Sequence, residues 1–362
     1  MNSKRIGINT GGGDAPGLNA VIRGVVLTAK RLGWTVVGIK RGYEGLLDIS
    51  QTVELTEEMV RDITSMGGTI IGTTNRGNPF EYPVKQSDGS FITVDRSQEV
   101  LDNFKKLKLD CLVAVGGDGS LKIAERFFEL GMPLVGVPKT IDNDLASTVI
   151  TFGFDTAVSN ATEALDKLHS TAESHRRVMV VEVMGRYAGW IALNSGVSSA
   201  ADVILIPEIP YDIDKVCQKI MERESRGLEY SIVVVAEGAR PKGGTMVFYG
   251  KKEVGKEIRL GGISTILAQD IEAKTGKETR TLVLGLLQRG GGPTTFDRLI
   301  ALRFGAAAVR AIEEGKIGFM VALNPPTVSY VPIAEAVSRM KTVPIDCDTI
   351  ITARSLGICL GD

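Results

Sequence analysis

Short apolar runs alternate along the chain with longer stretches of helical spacing. Ile6–Asn9, Val36–Ile39, Cys111–Val115, Leu134–Val137, Met179–Val183, Val203–Ile206, Ile232–Ala236 and Leu282–Leu284 predict buried strands, and Gly or Pro follows most of them closely. Between them Leu18–Leu32, Leu121–Leu130, Ala157–Leu168, Ile213–Arg226, Ile263–Ala273 and Phe296–Glu313 carry apolar residues at helical intervals. Strand and helix in regular succession is the alternation of parallel sheets, so an α/β fold of parallel-rich, Rossmann-like sheets flanked by helices is expected. Ligands in such sheets bind beyond the carboxyl ends of the strands, which directs attention to the residues just after each apolar run.

Three strand ends carry residues suited to phosphate. After Ile6–Asn9 the chain reads Thr10, Gly11, Gly12, Gly13, Asp14, Ala15, Pro16, Gly17 before a helix begins, so backbone amides can approach an anion at a helix N-terminus. The run matches neither GxxxxGK[ST] nor GxGxxG, and alone it is equally a tight strand-to-helix turn. After Cys111–Val115 come Gly116, Gly117, Asp118, Gly119 and Ser120, where Asp118 is placed to serve Mg2+ directly or through water. After Leu134–Val137 come Pro138, Lys139, Thr140, Ile141, Asp142, Asn143 and Asp144. In extended backbone residues two apart face the same way, so Asp142 can take a hydroxyl proton while Asp144 or Asp118 serves magnesium and Lys139 neutralises a transferred phosphoryl group. An Asx-rich turn bonding only its own backbone would explain one such cluster, but not three at three strand ends.

Length changes the picture only by favouring two lobes, since 362 residues exceed what one core usually holds and 43% of them are hydrophobic. A formal net charge of -1 excludes general attraction to nucleic acid or anionic membranes, so anion binding must be local. Cys111, Cys217, Cys347 and Cys359 have no CxxC spacing, which suits reduced thiols in a cytoplasmic protein. No apolar stretch has the length of a signal sequence or a membrane span. Only His169 and His175 are available as imidazoles, which turns proton transfer toward carboxylates. The Gly72–Ser90 stretch, polar and rich in Gly and Pro, predicts a loop or hairpin near a site.

Gly12–Asn19 (GGDAPGLN), Gly116–Ser120 (GGDGS), Pro138–Asp144 (PKTIDND), Glu182–Gly189 (EVMGRYAG) and Gln288–Pro293 (QRGGGP) occur in an order and spacing that resemble those of the phosphofructokinases, over about residues 5–310. The resemblance implies MgATP as donor, the 1-hydroxyl of fructose 6-phosphate as acceptor, and a cleft between two lobes. It implies a larger donor lobe from residues 1–140 with about 255–310, and a smaller sugar lobe from about 141–254 with 311–362. Asp142 resembles the family's base, with Thr140, Asp144 and Lys139 around the reacting phosphate; Gly13, Tyr43, Arg76, Gly117, Asp118, Gly119 and Ser120 resemble its donor contacts, Asp118 being the one associated with magnesium. Met184, Gly185, Arg186, Glu237, Arg280 and Arg289 resemble the sugar-phosphate grip, and Arg177 resembles an arginine supplied by a neighbouring subunit, which implies a homodimer or homotetramer.

The chain also departs from the family pattern. Leu286 stands where many members have a histidine, and of the usual effector positions Arg23 and Arg226 remain while Leu27, His169, Leu228 and Glu229 occupy others. At the two positions that distinguish donors, Gly119 resembles ATP users and Lys139 is compatible with pyrophosphate, so ATP is expected and pyrophosphate is the alternative. NAD and lipid kinases resemble GGDGS alone. A non-catalytic sugar-phosphate sensor is opposed by Asp118, Asp142 and Asp144, which would repel one another without a metal or phosphates.

Overall fold

The computed structural model describes residues 3–249 and 259–362. Its larger sheet has seven strands in the order Thr327–Pro332, Phe319–Asn324, Leu134–Pro138, Cys111–Gly116, Arg5–Thr10, Thr35–Ile39, Thr52–Leu55. The five inner strands run parallel and the two edges are antiparallel. The inner strands are nearly continuous Val, Ile, Leu and Ala because helices cover both faces. The helix Leu18–Arg31 packs with Thr295–Glu313 on one of them through Ile22, Val25, Phe304 and Ala308. Asp118–Glu129 covers the other with Leu121, Ala124 and Phe127.

A second sheet is parallel throughout, in the order Thr279–Val283, Val178–Val183, Ser231–Ala236, Val203–Leu205. Phe154–His175 and Trp190–Ser198 lie against one face, Ile213–Ser225 and Ile263–Thr275 against the other. The α/β expectation therefore holds in both sheets. The strand expected to be buried over Leu282–Leu284 is the edge strand Thr279–Val283: Leu284 just beyond it is buried, but Leu282 and Val283 are exposed, because among the described residues no further strand pairs with it.

The expected division of the lobes does not match the sheets. Part of about 255–310 lies outside the described residues; of the rest, Ile263–Thr275 and Thr279–Val283 belong to the smaller sheet and only Thr295–Glu313 packs on the larger one. Phe319–Pro332, expected in the smaller lobe, completes the larger sheet, because Met320, Val321 and Ala322 are fully buried there. Among the described residues the chain thus passes between sheets three times, at residues 139–153, 284–294 and 339–347. The last crossing carries Asp348–Ser355 back onto the smaller lobe, where Cys359 pairs beside Val203.

Candidate active site

Arg5–Thr10 lies between Thr35–Ile39 and Cys111–Gly116, so consecutive connections leave it in opposite directions and a crevice opens at its carboxyl end. The glycine loop fills this crevice. Gly11 N–H donates to Val115 O at 2.9 Å, Gly12 N–H to Thr74 O at 2.9 Å, and Thr73 Oγ1 to Gly12 O at 2.7 Å. Gly12 sits at φ 81°, a left-handed conformation that costs a side-chain-bearing residue energy. Thr73 and Thr74, not singled out by sequence, are therefore the loop's braces. Arg76 is exposed on the same segment.

Asp118 opens the helix Asp118–Glu129, its side chain partly exposed and paired with Lys122 at 2.8 Å. Gly117 precedes the first turn, whose free amides also include those of Gly119 and Ser120. A Cβ placed on Gly119 would meet nothing within 4 Å, so the space beside this turn is open. Tyr43 follows Gly42, which lies beside Thr10, Gly11 and Thr74, and its hydroxyl is buried without a hydrogen-bond partner. Its ring is buried against Phe127 at 5.0 Å between centroids, and burial pushes its hydroxyl well above the usual phenol range.

The first crossing carries the PKTIDND segment. Lys139 N–H donates to Gly116 O, and buried Lys139 Nζ donates to Gly13 O at 2.5 Å, binding the segment to both phosphate loops. Burial, with the Arg289 charge added, pushes the Lys139 ammonium down to about 8. Thr140 Oγ1 accepts from Asp142 N–H at 3.1 Å, and Thr140 O accepts from Thr151 Oγ1 at 2.7 Å. Asp142 and Asp144 each keep one carboxylate oxygen, Oδ1, shut from solvent without a hydrogen-bond partner. Burial raises both above the usual carboxylate range, and the Asp144 charge raises Asp142 further. Buried acceptors without donors are rare in native folds, and here they face a place for a hydroxyl, phosphoryl group or metal.

The second crossing closes the opposite wall. Fully buried Gln288 accepts from Met184 N–H at 3.2 Å and donates to Gly285 O at 3.1 Å, locking EVMGRYAG to QRGG. Glu237 N–H donates to Val183 O and Gly238 N–H to Gly185 O, which fixes the ends of two parallel strands side by side. Arg289 Nη1 donates to Asp14 O at 2.9 Å, reaching the glycine loop, and a Cβ on Gly13 would stand 2.9 Å from that same nitrogen. Arg289 and Arg186 both lower Asp142 and Glu237 by charge, while burial and then Asp142 push Glu237 up to about 7. Asp118, Asp144, Asp142 and Glu237 thus form a row of carboxylates, interleaved with Lys139, Arg186 and Arg289.

Arg177 and Arg280 are not part of this row. Arg177 precedes the strand Val178–Val183 and Arg280 is the second residue of Thr279–Val283, beside Met179, so both lie toward the amino ends, about 20 Å and about 10 Å respectively from the carboxyl ends at about 3.3 Å per residue. Both guanidinium groups bond Glu278. The expectation that Arg280 grips sugar in its own chain is therefore corrected: it belongs with Arg177, on a face turned away from the cleft.

Among the described residues no three His, Cys, Asp or Glu side chains converge as a metal cage. Asp118 with the orphaned Asp144 oxygen nevertheless fits magnesium, which commonly takes one or two protein carboxylates and leaves its other positions to phosphate and water.

The family profile described as Phosphofructokinase matches residues 5–312. An ATP-dependent 6-phosphofructokinase of Chloroflexus aurantiacus is 49% identical over 99% of this chain and 98% of its own length. ATP-dependent 6-phosphofructokinase 1 of Synechocystis sp. is 50% identical over 99% of each. The Pichia pastoris phosphofructokinase in the T-state superposes with a TM-score of 0.80 at 30% identity, over 98% of this chain and 36% of that much longer one. A pyrophosphate-dependent phosphofructokinase from Marinobacter aquaeolei shares the fold at TM-score 0.80 and 22% identity, over 99% of this chain and 88% of its own. Matched by the family profile over residues 5–312 and by relatives along its whole length, the chain belongs to the phosphofructokinase family.

Proposed function

We propose that the protein is an ATP-dependent 6-phosphofructokinase, transferring the terminal phosphoryl group of ATP to the 1-hydroxyl of fructose 6-phosphate to give fructose 1,6-bisphosphate in glycolysis. The observation that carries the mechanism is the pair of buried, unpartnered oxygens of Asp142 and Asp144 between the phosphate loops and the sugar motifs. Asp142 takes the hydroxyl proton, and its raised pKa suits a base that must later release that proton. Gly13 and the amides around Gly117 cradle the donor phosphates, and Lys139 holds positive charge beside the transferred group. Asp118, with Asp144, would hold magnesium, which bridges and neutralises donor phosphates when bound. Met184, Gly185, Arg186, Glu237 and Arg289 form the sugar wall.

Open space at Gly119 supports a nucleotide, whose α-phosphate and ribose need room that pyrophosphate does not. Lys139 suits either donor. A homo-oligomer in the cytoplasm completes the reading: Arg177 and Arg280 face away from their own cleft and serve a neighbour's sugar phosphate, and the strongly exposed Leu286 and Leu287 beside that edge strand are covered by a second copy. The test is turnover of purified protein on fructose 6-phosphate with ATP or pyrophosphate. We expect turnover with ATP and a loss of about 10²–10⁴-fold in kcat for Asp142→Ser with sugar binding retained. Turnover with pyrophosphate alone would overturn the donor, and parent-level kcat in Asp142→Ser would overturn the base.

A further inference from the structure

The third crossing, which carries no motif, reaches the catalytic segment. Met340 bridges Leu145 in antiparallel fashion, and Lys341 N–H donates to Asp144 O at 2.8 Å. Lys341 Nζ donates to Asn143 Oδ1 at 2.7 Å, Thr148 O at 3.0 Å and Val149 O at 3.0 Å. An ammonium has three N–H donors and here three protein oxygens receive them, which leaves none for a substrate. The crossing is anchored on its far side as well. Lys341 O accepts from Trp190 Nε1 at 3.0 Å, Val343 N–H donates to Glu208 Oε1 at 2.8 Å, and the Glu208 carboxylate accepts from Gly189 N–H at the end of EVMGRYAG.

Asn143 is the point on which this arrangement bears. It stands between Asp142 and Asp144 at φ 51°, in the left-handed region, and Ser147 follows at φ 62°. Left-handed residues persist where their surroundings hold them. Asn143 Oδ1 is held from two sides, by Thr151 N–H at 3.1 Å and by Lys341 Nζ. Rotation about this residue would turn both flanking carboxylates, so whatever fixes Asn143 fixes their directions.

We propose that Lys341 is a positioning residue for phosphoryl transfer, clamping Asn143 and the Asp144 backbone so that Asp142 and Asp144 face the reacting groups, and tying that alignment to the sugar wall through Trp190. The proposal rests on Asp142 being the base. A clamp of this kind acts on alignment rather than on affinity, and displacement of a base by about 1 Å is costly to rate.

The test uses the full chain with Lys341→Met, which keeps the stem and removes the donors. With thermal unfolding as the check on folding, kcat is expected to fall about 10- to 100-fold while KM for both substrates stays within about threefold. In an Asp142→Ser background the same substitution should lower kcat by a clearly smaller factor than in the parent, since with the base absent only the alignment of Asp144 is left to lose. Parent-level kcat in folded Lys341→Met, or an undiminished loss in the Asp142→Ser background, would overturn the proposal. If Lys341→Met does not fold, Lys341→Gln, which keeps two donors, is read by the same two criteria. Full activity of Asp142→Ser alone would instead point to failure of the base assignment, and the Lys341→Met kcat in the parent background still decides whether the clamp matters.

Discussion

In the proposed roles Asp142 must be ionised when a hydroxyl arrives and Lys139 must be protonated when phosphate does, and burial works against both. The raised Asp142 pKa means that kcat/KM falls as pH drops, on a limb above the ordinary carboxylate range. Lys139, at about 8 in the free protein, gives a second fall as pH rises through that value. In Lys139→Met the alkaline limb should vanish along with about 10²-fold of kcat; an unchanged limb near 8 would exclude Lys139 as its source. Asp142, Lys139 and Asp118 were legible in sequence because each sits in a short motif directly after an apolar run. Arg280 was misplaced because it lies near the amino end of a parallel strand, opposite the end where ligands bind. That the ring of Tyr43 is buried against Phe127 was not legible either, since a tyrosine near a glycine loop does not reveal which way its ring turns. Lys341 and Glu208 gave no local signal, since each acts on a segment far away in sequence.

At the scale of elements, the inner strands were legible as apolar runs, whereas Thr52–Leu55 was not, because a half-covered edge strand is half polar. Phe319–Asn324 is followed by two prolines that disguise a hairpin, and Trp190–Ser198 is too short and too evenly apolar to show a face. The junction between Phe154–His175 and Thr295–Glu313 is made by fully buried Asp297, whose Oδ2 accepts from Thr156 N–H at 2.8 Å and Thr156 Oγ1 at 2.6 Å. Asp297→Ala leaves these donors unpaired and should cost about 2–3 kcal/mol in denaturant unfolding. Burial lifts Asp297 to about 6, so the folded state binds its proton more tightly than the unfolded chain. Its contribution to stability therefore declines as pH rises from about 4 to 6 and is level above, and Asp297→Ala should flatten that slope. A loss under about 0.5 kcal/mol would show that the junction does not depend on this carboxylate.

For the whole molecule, the edge strand and the turn after it present Leu287 at 72% exposure beside Leu286 at 76%. Leu287→Glu should convert an oligomer to a smaller species in sedimentation and raise KM for the sugar at least about tenfold, because Arg177 and Arg280 would no longer reach a neighbour. An unchanged sedimentation coefficient would remove this face from the assembly. Arg177 alone points to a second copy in the sequence; the sheet order adds that, among the described residues, the strand beside it lacks a neighbour.

The three passages between sheets have a mechanical meaning. The first carries Lys139 to Asp144, the second Gln288 and Arg289, and the third Lys341, so the chain changes lobes at the place where the chemistry is done. Any rotation of one lobe against the other must turn about these three strands of backbone together. Points on an axis move least: were the outer walls to swing about it, the carboxylates and the lysine would stay nearly still, a pivot rather than a jaw.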